Sequence, residues 1–85
     1  MNPIPVRVMV EDAWDQVTLD LLPAASVADA KQRALALTHT RGVPEEYVVK
    51  FRGAEVLDES RSLAESGIVA NAALIVLPRR RRPVR

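Results

Sequence analysis

One stretch with a helical period, residues 26–37, constrains the fold of this 85-residue chain more than any other feature. Its apolar positions recur at offsets of 0, 3, 7 and 10 residues, which a helix turning about 100° per residue confines to an arc of about 80°. These positions are Val27, Ala30, Ala34 and Leu37. A stripe built mainly of alanine lets a helix backbone approach its partner closely, and strand-like runs lie on both sides. We therefore expect one helix packed on a sheet.

Polar residues at both ends of this stretch set the expected limits of the helix. Ser26 is placed to act as the N-cap, with its hydroxyl accepting the amide hydrogen of Asp29 while the Asp29 carboxylate reaches back. Residues 38–40, Thr-His-Thr, form helix poorly. The helix should therefore fade through them and end at or before Gly42, which can adopt the left-handed conformation of a helix C-terminus.

Two segments with strand character precede the helix. In the first, Ile4–Val10, three valines alternate with Arg7 and Met9, which predicts a strand with the valines on one face. Residues 16–22 then alternate apolar and polar side chains in the same way. A polar turn at residues 11–15 joins the two segments, so the sequence predicts an antiparallel hairpin.

Three further strand segments follow the helix. Tyr47–Phe51 is typical of a strand, residues 54–57 form a short edge strand, and the apolar run 73–77 suits a central strand. Ser62 and Glu65 repeat the capping pattern and predict a single helical turn. The order predicts an α+β fold of the β-grasp type, in which a mixed four- to five-stranded sheet wraps over one α-helix plus a short helical turn.

Composition excludes several classes of function. The chain has no cysteine, so it has no disulfide framework, thiol nucleophile or thiolate metal site, and a cytoplasmic setting fits. Its single histidine, His39, has no second histidine or cysteine beside it, and no glycine-rich phosphate loop occurs. We therefore expect no enzyme activity, no cofactor and no metal. No apolar run of about 18 residues exists, so we also expect no membrane insertion. The length of 85 residues fits one domain, which we expect to be monomeric when isolated.

Residues after the helix carry a resemblance to a known family. Those that match in type and order are Phe51, Arg52, Gly53, Val56, Asp58, Arg61, Ser62, Leu63 and Ile68, preceded by Gly42, Val43 and Pro44. Over residues 6–79 the chain thus resembles ubiquitin-like proteins, which share the β-grasp fold. The first hairpin is about one residue shorter than in the family, and the helix exit is about two residues longer.

The resemblance also implies what kind of ubiquitin-like protein this is. Members that are conjugated, or that act as sulfur carriers, work through a C-terminal diglycine, whereas the last glycine here is Gly67. We therefore expect a non-conjugated module, with a modifier or sulfur carrier that undergoes unusual C-terminal processing as the alternative. Lys31 and Lys50 are the only lysines available as acceptors.

The predicted binding surface is the outer face of the sheet. Family members bind partners through an apolar patch on this face, which here centres on Lys50, so we do not expect binders of ubiquitin itself. Alternation along the strands predicts the same face independently, with Arg7, Met9, Val48, Lys50, Ile75 and Leu77 pointing outward. Such an apolar patch is large for a soluble monomer and predicts a protein interface. Its two cations would make the partner partly acidic.

Trp14 is a second candidate for protein binding. It is the only tryptophan and lies in the first turn, between acidic residues. An exposed tryptophan is a frequent hot spot of binding. The alternative, that the ring folds down over the first hairpin or the sheet edge, stays open at this point.

Basic residues concentrate at the end of the chain. Five of the 12 basic residues, Arg79, Arg80, Arg81, Arg82 and Arg85, lie in residues 78–85 without an acid, while the remainder has seven basic and 11 acidic residues. We therefore predict a ubiquitin-like domain over residues 1–77 and a basic disordered tail over 78–85. The positive charge of this tail would let it bind nucleic acid. Alternatively, the tail keeps the chain soluble or links it to a further segment. Because no aromatic residue accompanies the arginines, we do not expect nucleic acid as the main partner.

Together these observations predict a non-catalytic interaction module that serves as a small accessory subunit of a larger assembly. The bias towards valine, alanine and arginine favours a bacterial source. The resemblance offers two settings for small β-grasp proteins without diglycine. One is the accessory protein of the WXG100-type secretion system, and the other is the small non-catalytic subunit of multicomponent aromatic monooxygenases. The sequence does not separate them.

Overall fold

The computed structural model describes residues 2–40 and 42–79. Five strands, one helix and one 3-10 turn make up this part of the chain. In order they are β1 (Ile4–Val10), β2 (Asp15–Leu21), α1 (Val27–Leu37), the 3-10 turn (Pro44–Glu46), β3 (Tyr47–Phe51), β4 (Ala54–Glu55) and β5 (Ala73–Pro78).

The strands form one mixed sheet in the order β2-β1-β5-β3-β4. Strand β5 lies at its centre, parallel to β1 and antiparallel to β3. The hairpin β1–β2 and the short pair β3–β4 complete the sheet on either side, both antiparallel. The predicted β-grasp architecture is confirmed, and the sheet has five strands.

Short turns close both hairpins. In the first, Val10 pairs with Asp15, so residues 11–14 close the turn and β2 begins one residue earlier than predicted. In the second, Phe51 pairs with Ala54, and only Arg52 and Gly53 lie between them. Both have positive φ, 56° and 81°, which is the geometry of the two-residue turn that matches strand twist.

Helix α1 begins as predicted but buries a different set of residues. The Asp29 N–H donates to Ser26 Oγ at 3.0 Å, whereas the Asp29 carboxylate pairs with Arg33, 3.1 Å from Nε, instead of reaching back. The buried residues are Val27, Ala30, Lys31, Ala34 and Leu35. Leu37, which was expected in the stripe, is exposed. The buried stripe follows the offsets 0, 3, 4, 7 and 8, an arc of about 140° that is centred away from the position of offset 10.

The helix ends at Leu37, within the expected limit of Gly42 and just before the residues through which it was expected to fade. Thr38 Oγ1 donates to Ala34 O at 2.9 Å and competes for the last helical acceptors. His39 then takes the left-handed conformation with φ 54°, and the Thr40 N–H donates to Leu35 O. Gly42 also has positive φ, 104°, but it lies beyond the cap, in the approach to the 3-10 turn.

The second capping pattern closes a turn rather than a helix. The Glu65 N–H donates to Ser62 Oγ at 3.0 Å, and the Ser62 N–H donates to Glu65 Oε1 at 3.1 Å. The Ser62 N–H, and after it the Ser62 hydroxyl, which donates to Glu65 Oε1 at 3.3 Å, hold the pKa of the Glu65 carboxyl below its ordinary value. One α-type hydrogen bond, from the Ser66 N–H to Ser62 O, spans the turn. The turn carries Leu63 into the core, where Ile68 joins it.

The core lies between α1 and the inner face of the sheet. The valines of β1 are fully buried, as are Val49 of β3 and Leu74 and Val76 of β5. Phe51 is half-buried and packs at the margin of this cluster, with the Arg52 guanidinium 5.3 Å from its ring centre. Leu63 and Ile68 close the core from the long connection between β4 and β5.

We expect Leu63→Ala to lower the free energy of unfolding by about 2–5 kcal/mol, because it leaves a cavity in a fully buried position. Leu57→Ala is the matched control, since Leu57 is exposed and its truncation should change stability by no more than about 0.5 kcal/mol. Urea denaturation followed by circular dichroism measures both. A loss below about 1 kcal/mol for Leu63→Ala would contradict the placement of this turn in the core.

Candidate protein-interaction surface

The strand register places one residue of each strand in a single row across the outer face of the sheet. Met9 pairs with Gln16 and with Ile75, and Lys50 pairs with Ile75 and with Glu55. In sheet order the row is Gln16, Met9, Ile75, Lys50 and Glu55. We call this set the outer row. Directly opposed residues in adjacent strands lie about 4.5–5.5 Å apart, so its members form a continuous surface with an apolar centre.

The six residues that the sequence assigned to this face all lie on its strands, but their exposure differs. Ile75 is 43% exposed and Arg7 is also exposed, whereas Met9, Lys50 and Leu77 are half-buried. Val48 is only 7% exposed, which corrects the expectation that it contributes open apolar surface. Val48 pairs directly with Leu77. Longer side chains of neighbouring residues line the same surface groove as Val48. The accessible apolar area is therefore narrower than predicted and centres on Ile75.

An open groove of about 730 Å³ lies next to the outer row. Its lining consists of Glu11, Val48, Lys50, Glu55, Leu77, Pro78 and Arg79. The lining thus combines three apolar residues with two carboxylates and two cations. A surface of this kind suits an apolar side chain of a partner with charged groups at its edge.

The two cations of the predicted patch are in different situations. Arg7 Nη2 donates to Asn71 O at 3.2 Å, so its guanidinium is tied to the loop that precedes β5. Within residues 2–40 and 42–79, the Lys50 ammonium forms no hydrogen bond or ion pair. Lys50 is thus the cation that can turn towards a partner without breaking an existing contact.

Trp14 lies on the surface, which rules out the alternative that its ring folds down, while its role in protein binding stays a prediction. The side chain is 85% exposed and does not fold over the hairpin. Its backbone has φ 51°, and its N–H donates to Glu11 O at 3.1 Å within the β1–β2 turn. Because Glu11 also lines the groove, this turn borders the outer face without belonging to the outer row.

A buried contact of Lys31 fixes the start of β3 to the helix. Lys31 Nζ donates to Tyr47 O at 3.0 Å and lies 2.6 Å from Glu59 Oε1. Tyr47 in turn donates its hydroxyl to Asp12 Oδ2 at 2.9 Å, which joins β3 to the β1–β2 turn. The buried amine corrects the expectation that Lys31 is available as an acceptor. The signal that it is buried was its position midway between Val27 and Leu35 on the apolar side of the helix.

The first residues of the predicted basic tail contact the domain. Pro78 is the last residue of β5, and the Arg79 N–H donates to Glu46 O at 2.6 Å while Nε donates to Glu45 O at 3.3 Å. The folded part therefore extends beyond the predicted boundary at residue 77. The other tail arginines, at positions 80–82 and 85, lie outside the described residues, so nucleic-acid binding by them stays an untested alternative.

Two classes of site are absent from the described part of the chain. Residues 2–40 and 42–79 contain no group of three or more histidine, cysteine or acidic side chains placed to hold a metal ion. They also include no helix with the length and apolar character needed to cross a membrane.

The fold is shared with solved structures of ubiquitin-like proteins. The ubiquitin-like domain of an Arabidopsis thaliana protein has a TM-score of 0.78 at 19% identity, over 100% of this chain and 86% of that one. The ubiquitin of Caldiarchaeum subterraneum has a TM-score of 0.77 at 12% identity, over 95% and 99%. A designed protein based on ubiquitin has 0.79 at 17%, over 99% and 98%. No protein-family model and no curated protein sequence matches this chain. At these identities the likeness establishes the ubiquitin-like fold alone.

We expect Tyr47 to titrate above its ordinary pKa of 10.0, because burial first, and then the hydrogen bond and charge of Asp12, disfavour the phenolate. Tyr47 is the only tyrosine, so its ultraviolet absorbance reports this pKa directly. A raised pKa in the folded state means that the contribution of Tyr47 to stability is complete below about pH 10 and is lost as pH rises through the folded value.

Two controls accompany this titration. Asp12→Asn should bring the pKa of Tyr47 closer to 10.0, and unfolding in urea should restore the ordinary value. A midpoint at or below 10.0 in the folded protein would contradict the contact between β3 and the β1–β2 turn.

Proposed function

We propose that this chain is a non-catalytic ubiquitin-like module that binds a protein partner through the outer face of its sheet, as a small accessory subunit of a larger assembly. The observation that carries the proposal is the outer row. It places Ile75, 43% exposed, between Met9 and Lys50 on the three central strands. All five strands contribute to the row, so a rigid element holds the surface in place.

The chemistry of the outer row indicates what kind of partner segment fits. An apolar side chain of the partner packs on Ile75 and Met9, while a carboxylate reaches the ammonium of Lys50. Glu55 and Gln16 at the ends of the row supply polar contacts at the rim. Such an arrangement, with a small apolar centre and charges around it, draws its affinity from a few central residues and its orientation from the charges.

The two settings offered by the resemblance are specific forms of this proposal. In each, a small β-grasp protein without a diglycine is a non-catalytic part of an assembly. A neighbouring gene for a secretion-system ATPase would favour the first setting, and one for a di-iron hydroxylase would favour the second. The ubiquitin-like fold and the outer row are compatible with both.

We expect Ile75→Asp to abolish partner binding, because it places a charge at the apolar centre of the surface. Leu57→Asp is the matched control: it makes the same chemical change at an aliphatic side chain that is 86% exposed and lies outside the outer row. Each variant is immobilised and exposed to a lysate of the native host, and the retained proteins are quantified by mass spectrometry. Thermal melts confirm that both variants are folded.

The expected result is a protein that the wild type and Leu57→Asp retain and that Ile75→Asp loses by about 10-fold or more. Retention of the same proteins by all three chains would overturn the outer face as the binding surface.

A further inference from the structure

The two lysines of the chain, Lys31 and Lys50, occupy opposite environments. Lys31 is 5% exposed, and its amine is held between Tyr47 O and the Glu59 carboxylate. A reagent reaches this amine only when the helix separates from the start of β3. Reaction at Lys31 is therefore limited by the small fraction of molecules in which this contact is open.

Lys50 lies in a different environment and is half-buried. It lies on the outer face in β3, paired with Ile75 on one side and with Glu55 on the other. Its side chain borders the open groove, and its amine has no hydrogen-bonding or ionic partner within residues 2–40 and 42–79. The fold thus leaves one lysine side chain at the surface and places it in the outer row, next to Ile75.

We propose that Lys50 is a modification site of this chain, and that acylation of its amine by an acyl phosphate or acyl thioester closes the outer face to its partner. The first part rests on the environments of the two lysines alone. The second part rests on the proposed function, because it requires that the outer face binds a partner.

Apart from the acyl donor, the reaction needs only the Lys50 amine and water. The deprotonated Nζ attacks the carbonyl carbon of the acyl donor, and a C–N bond forms. The C–O bond to phosphate, or the C–S bond to the thiol, then breaks and its electron pair leaves with the phosphate or thiolate. The proton lost from nitrogen passes to water. The product is a neutral amide, and nothing is oxidised or reduced.

Acylation would change the surface in two ways. The groove lining has two carboxylates, Glu11 and Glu55, and two cations, Lys50 and Arg79, so loss of the charge at Lys50 makes the groove net negative. A partner that offers a carboxylate at this point loses its ion pair and faces Glu55 instead. The acyl group also adds apolar bulk beside Ile75, where the partner would pack.

The site is tested first by acetylating the full chain with acetyl phosphate. Peptide mapping by mass spectrometry assigns each acetyl group to a position over a time course. We expect Lys50 to react at least about 100-fold faster than Lys31 in the folded protein. In concentrated urea, both lysines should react at similar rates. Lys50→Arg should remove side-chain acetylation of the folded chain, while Lys31→Arg should keep it.

Similar rates at the two lysines of the folded protein would overturn the proposed site. The chain isolated from its native host should also carry an acyl group at Lys50 in a fraction of molecules and none at Lys31. Absence of acylated Lys50 from the isolated protein would overturn its role as a site used in the cell.

The consequence for binding is tested by capture before and after acetylation. Acetylation should lower partner retention by the wild type about 10-fold and leave retention by Lys50→Arg at its own starting level, which controls for acetylation elsewhere. If Ile75→Asp abolishes partner retention but acetylation does not, the proposal that acylation closes the outer face is wrong, and the proposed function stands. If neither change affects retention, the proposed function fails as well.

Discussion

The pairing of β5 with two strands at once is the constraint on which the rest of the structure depends. Strand β5 lies parallel to β1 and antiparallel to β3, so it joins the N-terminal hairpin to the C-terminal half of the chain. A parallel neighbour cannot be reached by a short turn and needs a crossover connection. Here that connection contains α1, whose buried side covers the inner face of the sheet. One strand therefore fixes both the core and the register of the outer face.

Small side chains let α1 pack closely on the sheet, and one buried charged side chain makes a further contact between helix and sheet. Ala30 and Ala34 let the helix lie near the sheet, and Lys31 reaches past them to the backbone of β3. Burying an ammonium is costly unless its hydrogen bonds and charge are satisfied, and Tyr47 O and Glu59 satisfy both. The same contact removes Lys31 from the surface. The fold thus places one lysine in a buried contact and leaves the other on the outer face.

Period and alternation predicted most of this architecture from the sequence. The 3.6-residue period located α1, and the two-residue alternation assigned the valines of β1 to the core and Met9 and Ile75 to the outer face. These patterns are local, because each depends only on the geometry of one element. The caps at Ser26 and Ser62 were likewise readable, since a hydroxyl and the amide three residues later determine them.

The errors have a different physical origin, because they depend on contacts between elements. Leu37 was assigned to the core by period alone, but the sheet covers the other side of the last turn, where Leu35 is buried. Val48 points outward as alternation requires and is nevertheless covered, because Leu77 pairs with it. The buried environment of Lys31 required Tyr47 and Glu59, which are distant in sequence. No single element contains that information.

The most direct test of the central claim, that the outer sheet face is the working surface, is a titration of the isotope-labelled chain with the captured partner, followed by amide chemical shifts. We expect the largest shifts on Met9, Lys50 and Ile75 and on their neighbours in β1, β3 and β5. Shifts concentrated instead on the exposed side of α1, around Gln32 and Arg33, with the outer row unchanged, would contradict it.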